Sequence, residues 1–465
     1  MLKTILKREI QHNLYSLRFI LALALVLGVF AAGTLSFTRG HRGVLSNYRQ
    51  AEDQFRTAMK ADTAQNATEL AVARRTYPLR PRDNAFIADA KEKYLPNGIV
   101  FSAWNVFGVP NKNNSANPFL NAFEELNWSY IVAMILSFIA LLFTFDAVSG
   151  EKEDKTLALA LANSVSRGTL LFGKYLSAIL TFLAIVVPGV ILSLLIVILS
   201  GGIPLTAALL FETVGFLAVA ALMAAVLSAV GLFCSVAARN SSVSLLLALT
   251  FWLLFTVVIP NSSAFLAKNI FPVEKSESVS ARVTRALDDL SKAAPPGSWM
   301  MNSGNPFLPQ HELRANLQRK RMDAEKSIRD PSYQSLFRQF ESTRSLTAAS
   351  PVVIFQFLAE AVAGGGYPRF RKVWDEFHVY QGQFLAFFKS LDAADPKSPH
   401  WYNPNEDVST TRLPVAFATV PQFTEKSMSF AERLKPALPF LLAIVAYACL
   451  VFLLSYVLFV RYDVR

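Results

Sequence analysis

The stretch Phe145-Asp146-Ala147-Val148-Ser149-Gly150-Glu151-Lys152-Glu153-Asp154-Lys155-Thr156-Leu157 joins two regions of different chemistry. Before it, residues 128–148 form an apolar run of the ~20 residues that a membrane-crossing helix needs. After it come a short apolar piece with Leu157, Leu159 and Leu161, the sequence Asn163-Ser164-Val165-Ser166-Arg167, a Gly173-Lys174 pair and a second long apolar run. An acidic cluster at the end of a span, then a short apolar helix, then basic residues, describes a segment held along a membrane face. Such a segment can be pushed by a soluble partner. The plainer reading is a connecting loop anchored by its positive charge.

Working outward, the pattern repeats. Apolar runs at 15–37, 128–148, 175–199, 207–237, 244–260 and 437–460 have spanning length or approach it, the fifth being the shortest. The first is too long for a cleaved leader peptide and lacks its small-residue cleavage site. Composition agrees: of 465 residues only 17% are charged, mean hydropathy is +0.34, and Phe occurs 37 times. A disordered chain is excluded, and an ordinary soluble enzyme does not fit. The net charge of +11 is dispersed rather than gathered in a patch, which disfavours nucleic acid.

Short-loop charge sets the expected sidedness. Lys3, Lys7 and Arg8 before the first run, Lys152, Lys155, Arg167 and Lys174 after the second, Arg239 after the fourth, and Arg461 and Arg465 at the tail fall on one side if there are six spans. Both termini are then cytoplasmic. The expected fold is an all-α membrane protein with six transmembrane helices and two mainly helical extracytoplasmic insertions, 38–127 and 261–434, packing together. Residues 1–14 form an amphipathic helix with Leu2, Ile5, Leu6, Ile10 and Leu14 on one face. Residues 149–174 are the cytoplasmic loop, and 461–465 the tail.

Within the insertions, Tyr48, Phe55 and Met59 at near-helical spacing extend the first span outward. The segment 101–110 is aromatic enough to dock on the membrane or on the second insertion. That insertion reads as helices at 276–293, 310–329 and 333–346, the last two parted by Asp330-Pro331, then an apolar helix at 352–362 ending in Gly364-Gly365-Gly366. At 370–391, Phe370, Trp374, Phe377, Tyr380, Phe384 and Phe388 make a core stripe. In the membrane runs, Ala220, Ala224 and Ser228, with Ala221, Ala225 and Ala229 beside them, permit close helix packing inside the bundle or across a dimer. Pro188-Gly189 predicts a kink or local unwinding.

Catalytic motifs are lacking. Gly168-Thr169-Leu170-Leu171-Phe172-Gly173-Lys174 has the spacing of a phosphate loop, but Tyr175 stands where a magnesium-binding Ser or Thr is needed, and no βαβ context surrounds it. Cys234 and Cys449 lie in apolar runs and read as packing residues. The five histidines show no ligand spacing. His400, near Asp392, Asp395, Glu406 and Asp407, reads as part of a solvated turn, and no metal site is expected. Asp146 and Glu212 are the two acids inside spans, both near span ends rather than the midplane, which argues against an ion-coupled carrier.

The stretch that opens this reading resembles the permease subunits of ABC transporters of the ABC-2 type. Asp146, Glu151, Glu153, Thr156, Leu157, Ser166, Arg167, Gly173 and Lys174 match that pattern, and Lys155 stands where the family usually has Gly. The resemblance extends to the leader, the six spans and the large insertions. It looks closest to permeases labelled for multi-copper enzyme maturation, by Asn117-Pro118-Phe119, Trp128, Ser350-Pro351 and Gly364-Gly365-Gly366; no Cys, Met or His cluster here supports copper binding. The resemblance implies a subunit of the bacterial cytoplasmic (inner) membrane, paired with an identical or different second permease protomer. Two cytoplasmic ABC ATPase subunits would bind the ATP and magnesium, and this chain none. On that reading Asp146, Glu151, Glu153, Thr156, Leu157, Arg167, Gly173 and Lys174 serve coupling to the ATPase. Two other readings share these residues: ATP-driven movement of the insertions against a periplasmic protein, and a receptor or scaffold with no ATPase.

Overall fold

The computed structural model describes residues 2–89, 97–108, 126–162, 166–296, 298, 309–402 and 411–462. Asn117-Pro118-Phe119, Glu406, Asp407, Asn163, Ser164, Val165 and Arg465 lie outside them. The chain is a mainly helical membrane protein. Among the described residues, five helices are long and apolar enough to cross a bilayer: Leu17–Gln65, Arg167–Leu199, Ala207–Ala237, Ser241–Ser262 and Phe430–Arg461. The expected second run is helical over Trp128–Leu142, with a π turn at Val132–Leu136, and proceeds through turns to Val148.

The leader helix and the end of the last described helix lie at one end of this bundle, called here the terminal end. The leader helix Leu2–Leu14 packs along the start of Arg167–Leu199, and Arg167 bonds the last carbonyls of the final helix. The insertions occupy the other end.

Helix Leu17–Gln65 runs unbroken for 49 residues, beginning at the Ser16 N-cap, whose side chain accepts from Phe19 N–H, and ending at Asn66. Its distal part carries Met59 into a buried aromatic cluster with Phe101, Phe370, Trp374 and Phe377. Phe101 and Phe377 meet edge to face at 4.9 Å, so this end of segment 101–110 docks on the second insertion. The aromatic stripe of helix Gly366–Ala393 is the core face its spacing indicates. The first insertion also holds a small antiparallel sheet that the sequence reading lacks: β1 (Arg75–Pro78), β2 (Gly98–Phe101) and β3 (Val106–Gly108), in that order. Strands this short carry too little alternation to read.

Three local readings are corrected. Helix Pro309–Thr347 continues through Asp330-Pro331. Proline removes one backbone bond, but residues packed on both sides of it, Leu317 and Glu325 before and Phe337 after, hold the helix together. Pro188 likewise lies inside the helix Arg167–Leu199, which stays helical through it, so of the expected kink or local unwinding the unwinding does not occur. Its neighbour Gly189 leaves a bare backbone against Phe30: a Cβ there would come within 3.0 Å of that ring. Finally, this helix begins at Arg167 rather than Tyr175, because Ser166 caps it and accepts from Thr169 N–H.

The apolar helix Pro351–Ala363 sits in the same buried cluster as the long helices, although the sequence reading assigns it to the outer insertion. A helix apolar all round has to be buried. Its cap shows the depth. Ser350 accepts from Val352 and Val353 N–H and donates to Phe255 O at 2.6 Å, while Tyr447 donates to Ala349 O. Phe255 lies about 20 Å along its helix from Ser241 at 1.5 Å per residue. The segment therefore dips into the bundle and climbs back, ending at Gly364, which takes the left-handed φ of 69° that suits glycine.

Because Gly189 lies against Phe30 whereas Gly28 has open space around it, Gly189→Leu should destabilise the detergent-solubilised protein by about 1–3 kcal/mol. Gly28→Leu should leave the thermal midpoint unchanged. Equal midpoints for the two variants would contradict the packing.

Candidate functional site

The chain leaves Leu142 through turns and forms two short helices, Ser149–Glu153 and Thr156–Ala162. Side chains fasten the first of these on every side. Ser235 Oγ, two residues from the end of helix Ala207–Ala237, accepts from both Val148 N–H and Ser149 N–H at 2.8 and 2.9 Å. Lys152 Nζ donates to Val236 O at 2.6 Å and Ala238 O at 2.9 Å, so an ammonium closes the negative end of that same helix. Burial pushes the Lys152 ammonium below its usual range. Glu153 accepts from Ser241 Oγ at 2.6 Å, at the positive start of the following helix. Asp146 pairs with Arg18 at 2.6 Å, beside the start of the first long helix.

At the centre stands Lys174, with its side chain 5% exposed. Its Nζ lies 2.8 Å from Glu151 and 3.0 Å from Glu9. One ammonium thus ties the loop to the leader helix through the start of Arg167–Leu199. Two carboxylates face one cation, and Glu151 Oε2 has no hydrogen-bond partner among the described residues. Gly173 completes the fit, since a Cβ on it would come 2.7 Å from Ile5 Cγ2 on the leader. Arg167 donates to Phe459 O, Val460 O and Tyr462 O at 3.2, 2.7 and 2.9 Å, and so caps the final long helix.

Between the two short helices Lys155 has φ 59°, the left-handed conformation. There a side chain costs energy and glycine does not, which explains why the resembling pattern has Gly at this place. Leu157 is buried with Val148, Leu170, Leu171, Leu232, Val236 and Phe459. Thr156, Ala158 and Leu159 face outward.

The structure therefore gathers all eight expected residues at the terminal end but divides their work. Asp146, Glu151, Leu157, Arg167, Gly173 and Lys174 hold the segment in place. Glu153 is bonded yet exposed, and Thr156 is on the outer surface. Sequence reasoning missed Glu9, Arg18 and Ser241 as their partners, and Lys152 and Ser235 as further braces of the segment. Glu9 alone carried a signal, as the one acid in a basic leader. Elsewhere, Ala220, Ala224, Ser228 and Ala229 are fully buried within the chain, whereas Ala221 and Ala225 are half-buried. Ser455 of the final helix donates to Ala229 O at 3.4 Å. Glu212 pairs with Arg433 at 2.6 Å. His400 bonds Asp392 at 2.8 Å, and no group of metal-ligating side chains occurs among the described residues.

A bundle of long apolar helices with a braced segment across one end defines a multi-pass membrane protein. The family model for ABC-2 family transporter proteins matches residues 3–464, and the chain belongs to that family. Comparison with curated proteins finds no match.

Two stability measurements check this geometry. Lys174→Met leaves two carboxylates facing each other without their cation and should cost about 3 kcal/mol; adding Glu9→Gln and Glu151→Gln should recover much of the loss. Lys155→Gly should stabilise the protein by about 1 kcal/mol by relieving the left-handed backbone.

Proposed function

We propose that this chain is the six-span membrane subunit of an ATP-driven exporter of the bacterial inner membrane, with both termini cytoplasmic. Trp128–Leu142 with its following turns counts as the second span. The chain works as a homo- or heterodimer, and a separate cytoplasmic ABC ATPase binds the ATP and magnesium. The supporting observation is the Glu9–Lys174–Glu151 junction. A push on the segment 149–162 reaches the leader helix and the start of Arg167–Leu199 through one buried contact. Lys152 and Ser235 carry the same push to helix Ala207–Ala237. Outward-facing Thr156, Ala158 and Leu159 offer the contact surface for the ATPase, and the family motif residues set its position.

In the complex purified with its ATPase, Leu159→Glu should lower ATP turnover coupled to the membrane subunit at least about tenfold, by burying an unpaired charge in the contact, while the isolated subunit keeps its thermal midpoint. Unchanged turnover and copurification would overturn the contact surface. In a Cys449→Ala background, Lys155→Cys should react with a membrane-impermeant maleimide in inverted vesicles and not in intact cells. Labelling in intact cells would reverse the sidedness and with it the reading.

A second reading keeps the ATPase but replaces export by movement of the insertions against a periplasmic protein. The single helix Leu17–Gln65 favours it, since it joins the terminal-end assembly to the distal aromatic cluster directly. Breaking that helix with Ser46→Pro should then abolish the cellular function while ATP turnover persists. Retained function would leave export.

A further inference from the structure

A cavity of about 540 Å³ opens at the insertion end, where the apolar helices emerge. Six parts of the chain wall it: the outer length of helix Leu17–Gln65, the stretch Tyr77–Asn84, the connector into helix Ala207–Ala237, the cap of the dipping helix at Gly364, the first turns of helix Gly366–Ala393, and the segment before the final helix. Its lining mixes apolar groups such as Ile203, Leu209 and Phe423 with many charges, and basic side chains outnumber acidic ones.

The acids are already engaged. Glu212 is held by Arg433 at 2.6 Å and by Asn84 Nδ2 at 2.7 Å. Glu425 takes both oxygens to Arg369, at 2.6 and 2.8 Å. Asp83 bonds His41 and Arg80, and Glu52 bonds Arg56. Arg82 is steadied by the carbonyl oxygens of Ala88 and Ala363 at 2.8 and 3.0 Å. Lys426 is exposed at the mouth and has no acidic partner among the described residues. Arg80 is also exposed, 3.3 Å from an aspartate it shares with His41.

We propose that this cavity binds a phosphate-bearing anion at the membrane surface. Fixed guanidinium groups suit phosphate oxygens, and the apolar part of the lining suits the carbon skeleton beside them. The position fits as well, since Leu209 and Arg433 of the lining stand near the starts of the apolar helices Ala207–Ala237 and Phe430–Arg461, the level at which a bilayer's phosphates would meet them. Paired acids on the floor keep Arg433 and Arg369 in place, and the exposed Arg80 and Lys426 receive the charge. The proposal is independent of the coupling reading, since it concerns the opposite end of the bundle.

The test uses the full-length chain with two probes. One is phosphatidylglycerol in phosphatidylcholine nanodiscs, read as lipid retained in native mass spectrometry. The other is glycerol phosphate, titrated calorimetrically. Arg80→Glu with Lys426→Glu should weaken binding at least about tenfold for the probe that binds, because each lost charge-assisted bond is of that order. Arg80→Lys with Lys426→Arg should keep it, as should Lys320→Glu on the exposed side of a distant helix. Both variant pairs should elute as the unaltered protein does, since all four changes are at exposed positions. Binding of the lipid alone identifies a headgroup, and of the soluble probe alone a soluble phosphate ester. Failure of both probes to bind, or equal binding by the charge-reversed variant, overturns the proposal.

Discussion

A lysine taken out of water must be repaid by nearby negative charge, and in this protein that requirement organises one whole end of the molecule. Lys174 draws Glu9 from the leader and Glu151 from the loop to a single point. Neither carboxylate is held there by its own helix alone, so the leader, the loop and the third apolar run keep their mutual position through the ammonium. Gly173 follows from the same constraint, since the leader lies too close for a side chain. The surrounding contacts are of the same type. Lys152 and Arg167 each place a cation on the carbonyl end of a long helix, so three basic residues of this junction brace three different helices.

The opposite end is organised by apolar burial. The dipping helix Pro351–Ala363 has almost no polar surface and joins the bundle core. Its one acid, Glu360, is paired with Arg344 at 3.0 Å and accepts from Tyr367 N–H, which binds the dip to the helices on either side. The distal aromatic cluster then links both insertions without involving the apolar layer. Core and distal cluster meet along the first long helix and at Gly364–Gly366.

Residues that define elements by periodicity were legible in the sequence. The apolar runs, the aromatic stripe of Gly366–Ala393 and the Ser-Pro start and Gly end of the dipping helix all follow from local pattern. Context governed the rest. Asp330-Pro331 has the chemistry of a helix stop, yet packing on both sides carries the helix through it. The dip of Pro351–Ala363 was hidden because an apolar helix of 13 residues is too short to announce a membrane, and only its contacts show where it lies. At the site, Lys174 and Glu151 belong to a readable motif, but the third member, Glu9, is far away in the chain, and nothing local pairs them. Lys155 was visible as a departure, and its φ supplies the cause.

The unbroken helix Leu17–Gln65 has a geometric consequence of its own. At 1.5 Å per residue it is about 70 Å long, roughly twice the thickness of a bilayer's hydrocarbon layer. A rotation of only about 5° at its anchored foot would sweep the far tip through an arc of about 6 Å, more than the rise of one helical turn. Gearing of this kind turns a displacement too small to disturb close packing at the foot into one large enough to open or shut a surface at the tip.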